Sequence, residues 1–543
     1  MLKYLLYVTN IIIFSFLSYE LLKEKRYTEK PKPKKKSHYQ LILINPPRAN
    51  IYDAQGKPLT RLTYTYTMAF KKKINLLYDD KNCIIYPNTH IFICHTSIEQ
   101  IYNNWELINF FDVNIYPVFK RTKIFSDIDV DFVGNATFAS GRKKTKIVRK
   151  IIRDLKKTLS DKKLIKSVVK KIKYIDILAG NFGLELYYDQ LLRGKIGVFK
   201  KLNERTDTLI KPLPGRDLYL TINLELQSLI KKELKDFCKK LTTNCATVGI
   251  NAENGEILFF VETKKENLEK ANKQSYFSTI YQGLYLPGSI FKPFIALALL
   301  ESGIIDRNHT TFCSGAITTF NRNFKCWASR GHGYVNVVSA IEQSCNVFFY
   351  HNIQKFKQQS LKDFIEKFKI DKITKIDLPF ETSQKVSISP NILNRILFSI
   401  GQSDIYISLL KIVQLFALFH TNEYLPTPHL VQYPSATLEK KKIAVKVNKK
   451  NLEIVKEGLF KVIHSPSGTA HGLGLEKFKL YGKTGTVQVG GNLKPNSIFC
   501  GLLEINIPIS FCVLIENSGS GKEFAGKFTT ILLNTLKNFF SAR

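Results

Sequence analysis

Acidic side chains are scarce in this chain: 45 Asp and Glu stand against 81 Lys and Arg, a formal net charge of +36 over 543 residues. A nucleic acid is one partner that such a charge suits. The lysines are spread along the chain, however, and no nucleic-acid-binding module accompanies them. The balance therefore favours a basic surface facing an anionic membrane or polymer, in a chain biased toward Lys, Asn, Ile, Phe and Tyr. Cysteine is scarce as well. Nine residues are too few for a disulfide scaffold, and the number is odd. Apolar side chains are plentiful: 44% hydrophobic and 12% aromatic residues are enough for sizeable cores, and the length predicts two or three units.

Residues 2–22 form an apolar run with Lys3 and Glu20 near its ends. The run matches the ~20 residues of a bilayer-spanning helix, so 4–22 reads as a transmembrane anchor. No small-x-small cleavage site follows, which argues against a removed signal peptide. Lys23, Lys25, Arg26, Lys30, Lys32 and Lys34 to Lys36 come directly after it. By the positive-inside rule these would hold the bulk of the chain in the cytoplasm. Residues 23–38, rich in Lys and Pro, read as an extended basic linker.

From 39 to 215, short β-like runs at 39–44 and 91–94 mix with lysine-laced helical stretches over 144–175, without a catalytic constellation. A second unit, 216–543, opens just after Pro214-Gly215. Its pattern predicts an amphipathic helix over 224–239 and a hairpin of strands 245–251 and 257–261. Strands at 497–503 and 509–515 and a last helix over 525–541 follow. Strands at both ends with helices between predict an α+β fold built on an antiparallel sheet.

The chemistry concentrates at Gly288-Ser-Ile-Phe-Lys-Pro293 and the apolar run that follows to Leu300. Pro287-Gly288 halts what precedes, and a helix begins near Ser289. The run is apolar all round, which predicts a buried helix. Pro293 falls in the first turn, where its missing N–H costs least. Ser289 and Lys292, three apart, share a face: a hydroxyl nucleophile with an amine base beside it. Spacing alone is weak. Ser140…Lys143, Ser160…Lys163 and Ser167…Lys170 repeat it, but in polar, charge-rich stretches.

Two further elements raise the signal. Ser344-Cys345-Asn346 lies between two helical stretches, and Lys483-Thr484-Gly485-Thr486 lies in a strand-like run. Ser-x-x-Lys, Ser-x-Asn and Lys-Thr-Gly in that order are the signature of penicillin-binding proteins and class A β-lactamases. The chain resembles the class B penicillin-binding proteins. Pro47-Arg-Ala-Asn-Ile-Tyr-Asp-Ala-Gln-Gly-Lys-Pro-Leu59 is similar to the family's Arg-Gly-x-Ile-x-Asp-Arg-x-Gly signature, with Ala49 for a glycine and Ala54 for an arginine. Gly183-Leu-Glu185 with Leu192-Arg-Gly194, the stretch 215–227, Ser399-Ile-Gly-Gln402 and Ser467-Gly-Thr-Ala470 also match. Cys326-Trp327 and Gly331-His-Gly333 are most like the penicillin-binding protein 2 group, the cell-elongation enzymes.

The resemblance implies a penicillin-binding transpeptidase fold (antiparallel sheet flanked by helices plus a helical subdomain) over 216–543, on an elongated pedestal over 39–215. It implies a D,D-transpeptidase in which Ser289 attacks the penultimate D-Ala carbonyl of a peptidoglycan stem peptide. Lys292 would be the base, its pKa lowered by burial and by Lys483 as a second cation. Ser344 would relay a proton to the leaving amine and Asn346 would hold the substrate backbone. Lys483, Thr484 and Thr486 would take the carboxylate, while Gly485 would leave room for a peptide against the strand edge. Implied partners are stem peptides, β-lactams, the cytoplasmic membrane, a polytopic wall glycosyltransferase and other elongation-complex proteins. The catalytic domain would lie in the periplasm, held at the inner membrane by a single span. A D,D-carboxypeptidase shares these motifs, a β-lactamase shares part of them, and a non-catalytic scaffold is the reading from another class.

Cys313, Cys326, His332 and Cys345 supply three thiolates and an imidazole, a tetrahedral zinc set. Four protein ligands leave no open position, so such a zinc would be structural, and the implied chemistry would require no cofactor. A Cys313–Cys326 disulfide and plain buried thiols are the competing readings. Cys83, Cys94, Cys238, Cys245, Cys500 and Cys512 read as core residues or disulfide partners.

Overall fold

Two near-continuous apolar runs close the sequence, and both become central strands buried on both faces. The computed structural model describes residues 40–44, 48–70, 83–86, 91–96, 114–124, 131–172, 177–202, 205–239, 241, 243–263, 277–434 and 442–542. The expected anchor and linker lie outside these. Among the described residues no helix is long and apolar enough to cross a membrane.

In the C-terminal part the main elements run α1 (Leu224–Lys239), β1 (Cys245–Asn251), β2 (Ile257–Thr263), α2 (Lys292–Glu301), β3 (Thr311–Cys313), β4 (Ala316–Thr319), β5 (Arg322–Lys325) and β6 (Gly333–Val335). They continue with α3 (Val337–Glu342), α4 (Asn346–Ile353), α5 (Leu409–Phe416), α6 (Lys449–His464), β7 (Leu480–Val487), β8 (Asn496–Glu504), β9 (Pro508–Ile515) and α7 (Lys527–Ser541). The five-stranded sheet has the order β2-β1-β9-β8-β7, every pairing antiparallel, so β7 is an edge strand. Helices α1 and α7 pack on each other, α1 against β2, and α5 lies across β9, β1 and β8. Helix α2 is buried at every position except Glu301, as its all-round apolar sequence requires. The predicted elements of this part stand within about two residues of their expected ends.

The N-terminal part holds a four-stranded sheet, in the order 83–86, 91–96, 60–70, 114–123, and the two lysine-laced helices Gly141–Thr158 and Lys162–Ile172. These helices have a small core of their own, including Val148, Leu155 and Val168. The main core crosses residue 215: Ile51, Leu59, Leu184 and Leu192 pack in one cluster with Leu218 and Leu220. The 47–59 signature therefore sits at the seam. Asp53, fully buried, accepts from the backbone N–H groups of Gln55, Lys57 and Leu224, and so caps α1 from across the seam. Arg48 donates to Glu185 Oε2 at 2.7 Å, Asp189 Oδ1 at 2.8 Å and the Glu185 carbonyl at 2.8 Å.

Two disulfides are present among the described residues. Cys238–Cys245 ties α1 to β1, and Cys500–Cys512 joins directly opposed residues of β8 and β9. Cys313, Cys326 and Cys345 are free and buried.

Removing the Arg48 guanidinium takes away the cation that lies 2.7 Å from the buried Glu185 carboxylate. Arg48→Ala should cost roughly 3–5 kcal/mol in urea unfolding. A loss below about 1 kcal/mol would show that the ion pair does not hold the seam.

Candidate active site

Ser289 is the second residue of a 3₁₀ turn, Gly288–Phe291, that runs directly into α2. Ser289 is half-buried while Ile290, Phe291 and Lys292 are buried, so the turn anchors its apolar members and leaves the serine accessible. Gly401 holds the turn from behind. Its carbonyl accepts from the Gly288 N–H at 3.0 Å, it sits at φ +71°, and a Cβ there would lie 2.3 Å from the Gly288 carbonyl oxygen. Only glycine fits that approach.

Lys292 projects from the first turn of α2 into the interior. Its Nζ donates to the Ser344 carbonyl at 2.7 Å and to Asn346 Oδ1 at 2.6 Å, and lies 3.1 Å from Ser344 Oγ. Lys483 comes from β7 on the other side, its Nζ 2.9 Å from the same Ser344 Oγ and 3.1 Å from the Thr484 carbonyl. One hydroxyl thus sits between two amines, both with no exposed surface. Ser344 holds this place in a left-handed turn, φ +55°, between α3 and α4. A non-glycine residue pays strain for that conformation, and such outliers concentrate at functional sites.

Burial pushes the Lys292 amine down to about 8, with Cys345 and Cys326 opposing the shift. Burial first, then the charge on Lys292, pushes Lys483 well below the ordinary lysine range. Burial is the leading cause for both amines, and the repulsion between the two charges works against protonating both at once.

On β7, Thr484 is buried with its Oγ1 2.9 Å from Thr469 Oγ1, and the exposed Thr486 accepts at Oγ1 from the Gly521 N–H at 2.9 Å. Gly485 has a reason beyond the one the sequence suggested: a Cβ there would lie 2.8 Å from Ile290 Cγ1. The glycine lets the edge strand close onto the nucleophile's turn.

The four expected metal ligands converge, their ligand atoms all within 4.8 Å of one another. His332 Nδ1 lies 3.5 Å from Cys313 Sγ and 3.6 Å from Cys326 Sγ. Bonds of about 2.3 Å to sulfur and 2.0–2.1 Å to nitrogen at a tetrahedral centre separate S from N by about 3.5 Å. The donor set fits such an ion in kind, number and spacing. A hydrogen bond from Cys345 leads the interactions that hold the Cys326 thiol far below its usual range. Cys326 Sγ also accepts from the Asn346 N–H at 3.3 Å, so the cluster abuts the site.

Several supporting residues escaped the sequence reading. The Lys325 carbonyl accepts from Asn346 Nδ2 at 3.3 Å, and Trp327 Nε1 donates to the Gln343 carbonyl at 3.0 Å. The buried Glu342 carboxylate accepts from Ser467 Oγ at 2.7 Å. No spacing rule signals such contacts. Trp327 and Ser467 lie in the stretches Cys326-Trp327 and Ser467-Gly-Thr-Ala470 that carry the resemblance, but nothing in the sequence gives their partners.

The chain matches the family described as penicillin binding protein transpeptidase domain over residues 245–536, more than half its length. It is 23% identical over 593 residues to the peptidoglycan D,D-transpeptidase MrdA of Escherichia coli (strain K12), covering 95% of this chain and 90% of that protein. Its fold is similar to that of PBP2 in the complex between penicillin-binding protein (PBP2) and MreC from Helicobacter pylori. There the TM-score is 0.72 at 20% identity, covering 92% of this chain and 99% of the other. A chain of a peptidoglycan synthase complex that coordinates polymerization and crosslinking gives a TM-score of 0.70 at 20% identity, covering 98% and 97%. The site at Ser289, Lys292, Ser344, Asn346 and Lys483 lies inside the matched residues, and the chain belongs to the penicillin-binding protein transpeptidase family.

Proposed function

We propose that this chain is the peptidoglycan D,D-transpeptidase of a cell-elongation machinery, working through a serine acyl-enzyme and inhibited by β-lactams. One observation carries the reading: the Ser344 hydroxyl lies between two buried lysine amines, and one of them, Lys292, follows three residues after a half-buried serine on a 3₁₀ turn. The two amines are too close, and too dry, for both to carry a proton at neutral pH. A carboxylate arriving at Lys483, Thr484 and Thr486 raises the proton affinity of Lys483. A proton then passes from Lys292 to Ser344 Oγ as the Ser344 proton passes to Lys483, which leaves Lys292 as a free base.

Lys292 takes the Ser289 proton as Ser289 Oγ bonds to the penultimate D-Ala carbonyl carbon. The C–N bond breaks, and the leaving D-Ala amine receives a proton through Ser344. A second strand's amine then attacks the ester, returns its proton, and releases Ser289 as the cross-link forms. The Ser289 and Thr486 N–H groups are the proposed oxyanion donors; one such donor is worth about 10²–10³ in rate. The substrate peptide would extend the sheet along the edge strand β7. A D,D-carboxypeptidase would use the same groups with water as acceptor. A scaffold without activity would gain nothing from burying two amines together.

The proposed location is the outer side of the cytoplasmic membrane, with 4–22 as anchor. The Cys238–Cys245 and Cys500–Cys512 bonds suit an oxidising compartment. Long domains translocate largely regardless of flanking charge, so the basic 23–36 segment is not decisive. By likeness to the named complexes, the partners would be MreC-like and polymerase subunits of the elongation complex. Cys313, Cys326, His332 and Cys345 would hold a structural zinc that braces the turn carrying Ser344 and Asn346. With four protein ligands it has no open position for chemistry.

Fluorescent penicillin should label the wild-type protein stably and Ser289→Ala not at all. Because the singly protonated pair is the form that answers the carboxylate, the acylation rate should be level below about pH 8 and fall about tenfold per unit above it, as the last proton leaves and Lys483 can no longer pair with the ligand. No label on folded wild type would contradict the reading, and rapid release of label would indicate a hydrolase. Elemental analysis of the purified protein should find about one zinc per chain, and Cys345→Ser should lose it and melt several degrees lower. Absence of metal together with unreactive thiols would contradict the zinc proposal.

A further inference from the structure

The segment 311–335 forms a lobe of two small hairpins, β3 with β6 and β4 with β5. It borders the catalytic centre directly, since the Lys325 carbonyl and Cys326 Sγ bond Asn346 and Trp327 bonds the Gln343 carbonyl. Its outer surface has a composition unlike an ordinary solvated face. Four large apolar side chains stand out in water within 23 residues: Phe312 at 57% exposed, Phe320 at 56%, Trp327 at 62% and Tyr334 at 77%. Phe312 and Tyr334 are cross-strand partners with ring centroids 5.0 Å apart. No acidic residue occurs anywhere from Arg307 to Ile341. Arg322, Lys325 and Arg330 are exposed in the lobe, and no ion pair involves any of them among the described residues.

A second feature is independent of composition. The β4–β5 hairpin turns on two residues, Phe320 at φ 51° and Asn321 at φ 58°. Left-handed geometry at both turn positions is the habit of Asn-Gly, and a bulky aromatic there is a genuine outlier. Phe320 stays 56% exposed even so. A strained, exposed aromatic at a hairpin tip points to a contact made outside the chain.

From these features we infer that the 311–335 lobe is a docking face for the uncross-linked glycan–peptide strand, outside the pocket that receives the reacting D-Ala-D-Ala end. Sugar rings present C–H faces that lie against aromatic rings, and the stem peptides carry carboxylates. Exposed aromatics interleaved with unpaired cations, without acids, complement that chemistry. The lobe's direct bonds to Asn346 place it against the catalytic centre. Such a face adds binding energy from parts of the substrate remote from the reacting bond, which an enzyme acting on a polymer needs. The inference rests on the transpeptidase reading for the identity of the polymer.

The test uses the full protein as purified, carrying Ser289→Ala so that strands bind without reacting. Soluble uncross-linked peptidoglycan strands are titrated at several salt concentrations, with neutral dextran and anionic phospholipid vesicles as comparison probes. Phe320→Gly relieves the turn, so it should fold at least as well as the parent, and Arg322→Glu/Arg330→Glu alters charge alone. Each should weaken strand binding at least tenfold, and binding to the parent should fall steeply with salt. In the Ser289 background, penicillin acylation reports on fold and on the transpeptidase reading separately from strand binding. Strand affinity within twofold of the parent in both variants would overturn the inference. So would equal binding of dextran, or binding of vesicles in place of strands.

Discussion

Two buried lysine amines share one serine hydroxyl, and neither has a carboxylate partner among the described residues. This is the constraint on which the rest of the site depends. Burying one cation without a counter-charge is costly, and burying two side by side is not tolerated in water-free surroundings. The protein meets the constraint by letting both amines lose proton affinity. The Ser344 and Thr484 carbonyls and Asn346 Oδ1 supply acceptors in place of a carboxylate. A carboxylate would fix the protons permanently, whereas backbone and amide oxygens leave them free to move when a charged ligand arrives.

Everything around the pair serves to hold it. The all-apolar α2 fixes Lys292 from one side, and the edge strand β7 delivers Lys483 from the other. Lys483 on β7 pairs in register with Cys500 of β8, whose disulfide to Cys512 ties β8 to β9, so the strand that β7 lies against is itself fixed. The Ser344 turn is the strained member, and it is held at both flanks. On one, Ser344 N–H reaches the Ile341 carbonyl at 3.2 Å. On the other, the Cys/His cluster grips Cys345 and the Asn346 N–H.

The residues proposed as nucleophile, bases and metal ligands were legible in the sequence because each has a local signature: a spacing, a proline or glycine boundary, an apolar run. Strands 245–251 and 509–515 were legible from apolar continuity, and α1 from its periodicity. What was not legible is what depends on chain segments meeting. Ala49 looked like an eroded signature position, yet it is buried in the main core, and its N–H donates to the Leu192 carbonyl at 2.8 Å. The seam at Asp53 and Leu224 joins residues 171 apart. That both amines lie fully buried beside one hydroxyl is set by neighbours distant in sequence, which no spacing encodes. The role of Gly485 against Ile290 likewise appeared only with the close approach of two elements distant in sequence.

The central claim, that the pair holds at most one proton and gives up Lys292's when a carboxylate arrives, is tested most directly by NMR. The titration would follow ¹⁵N-lysine side chains in the Ser289→Ala protein, with Lys292→Met and Lys483→Met to assign the signals. The account predicts Lys292 titrating near 8 and Lys483 well below the ordinary lysine value. It also predicts that a carboxylate-bearing penicillin moves the remaining proton from Lys292 to Lys483. Two amines that both titrate at about 10.4, the ordinary lysine value, and ignore the ligand would contradict it.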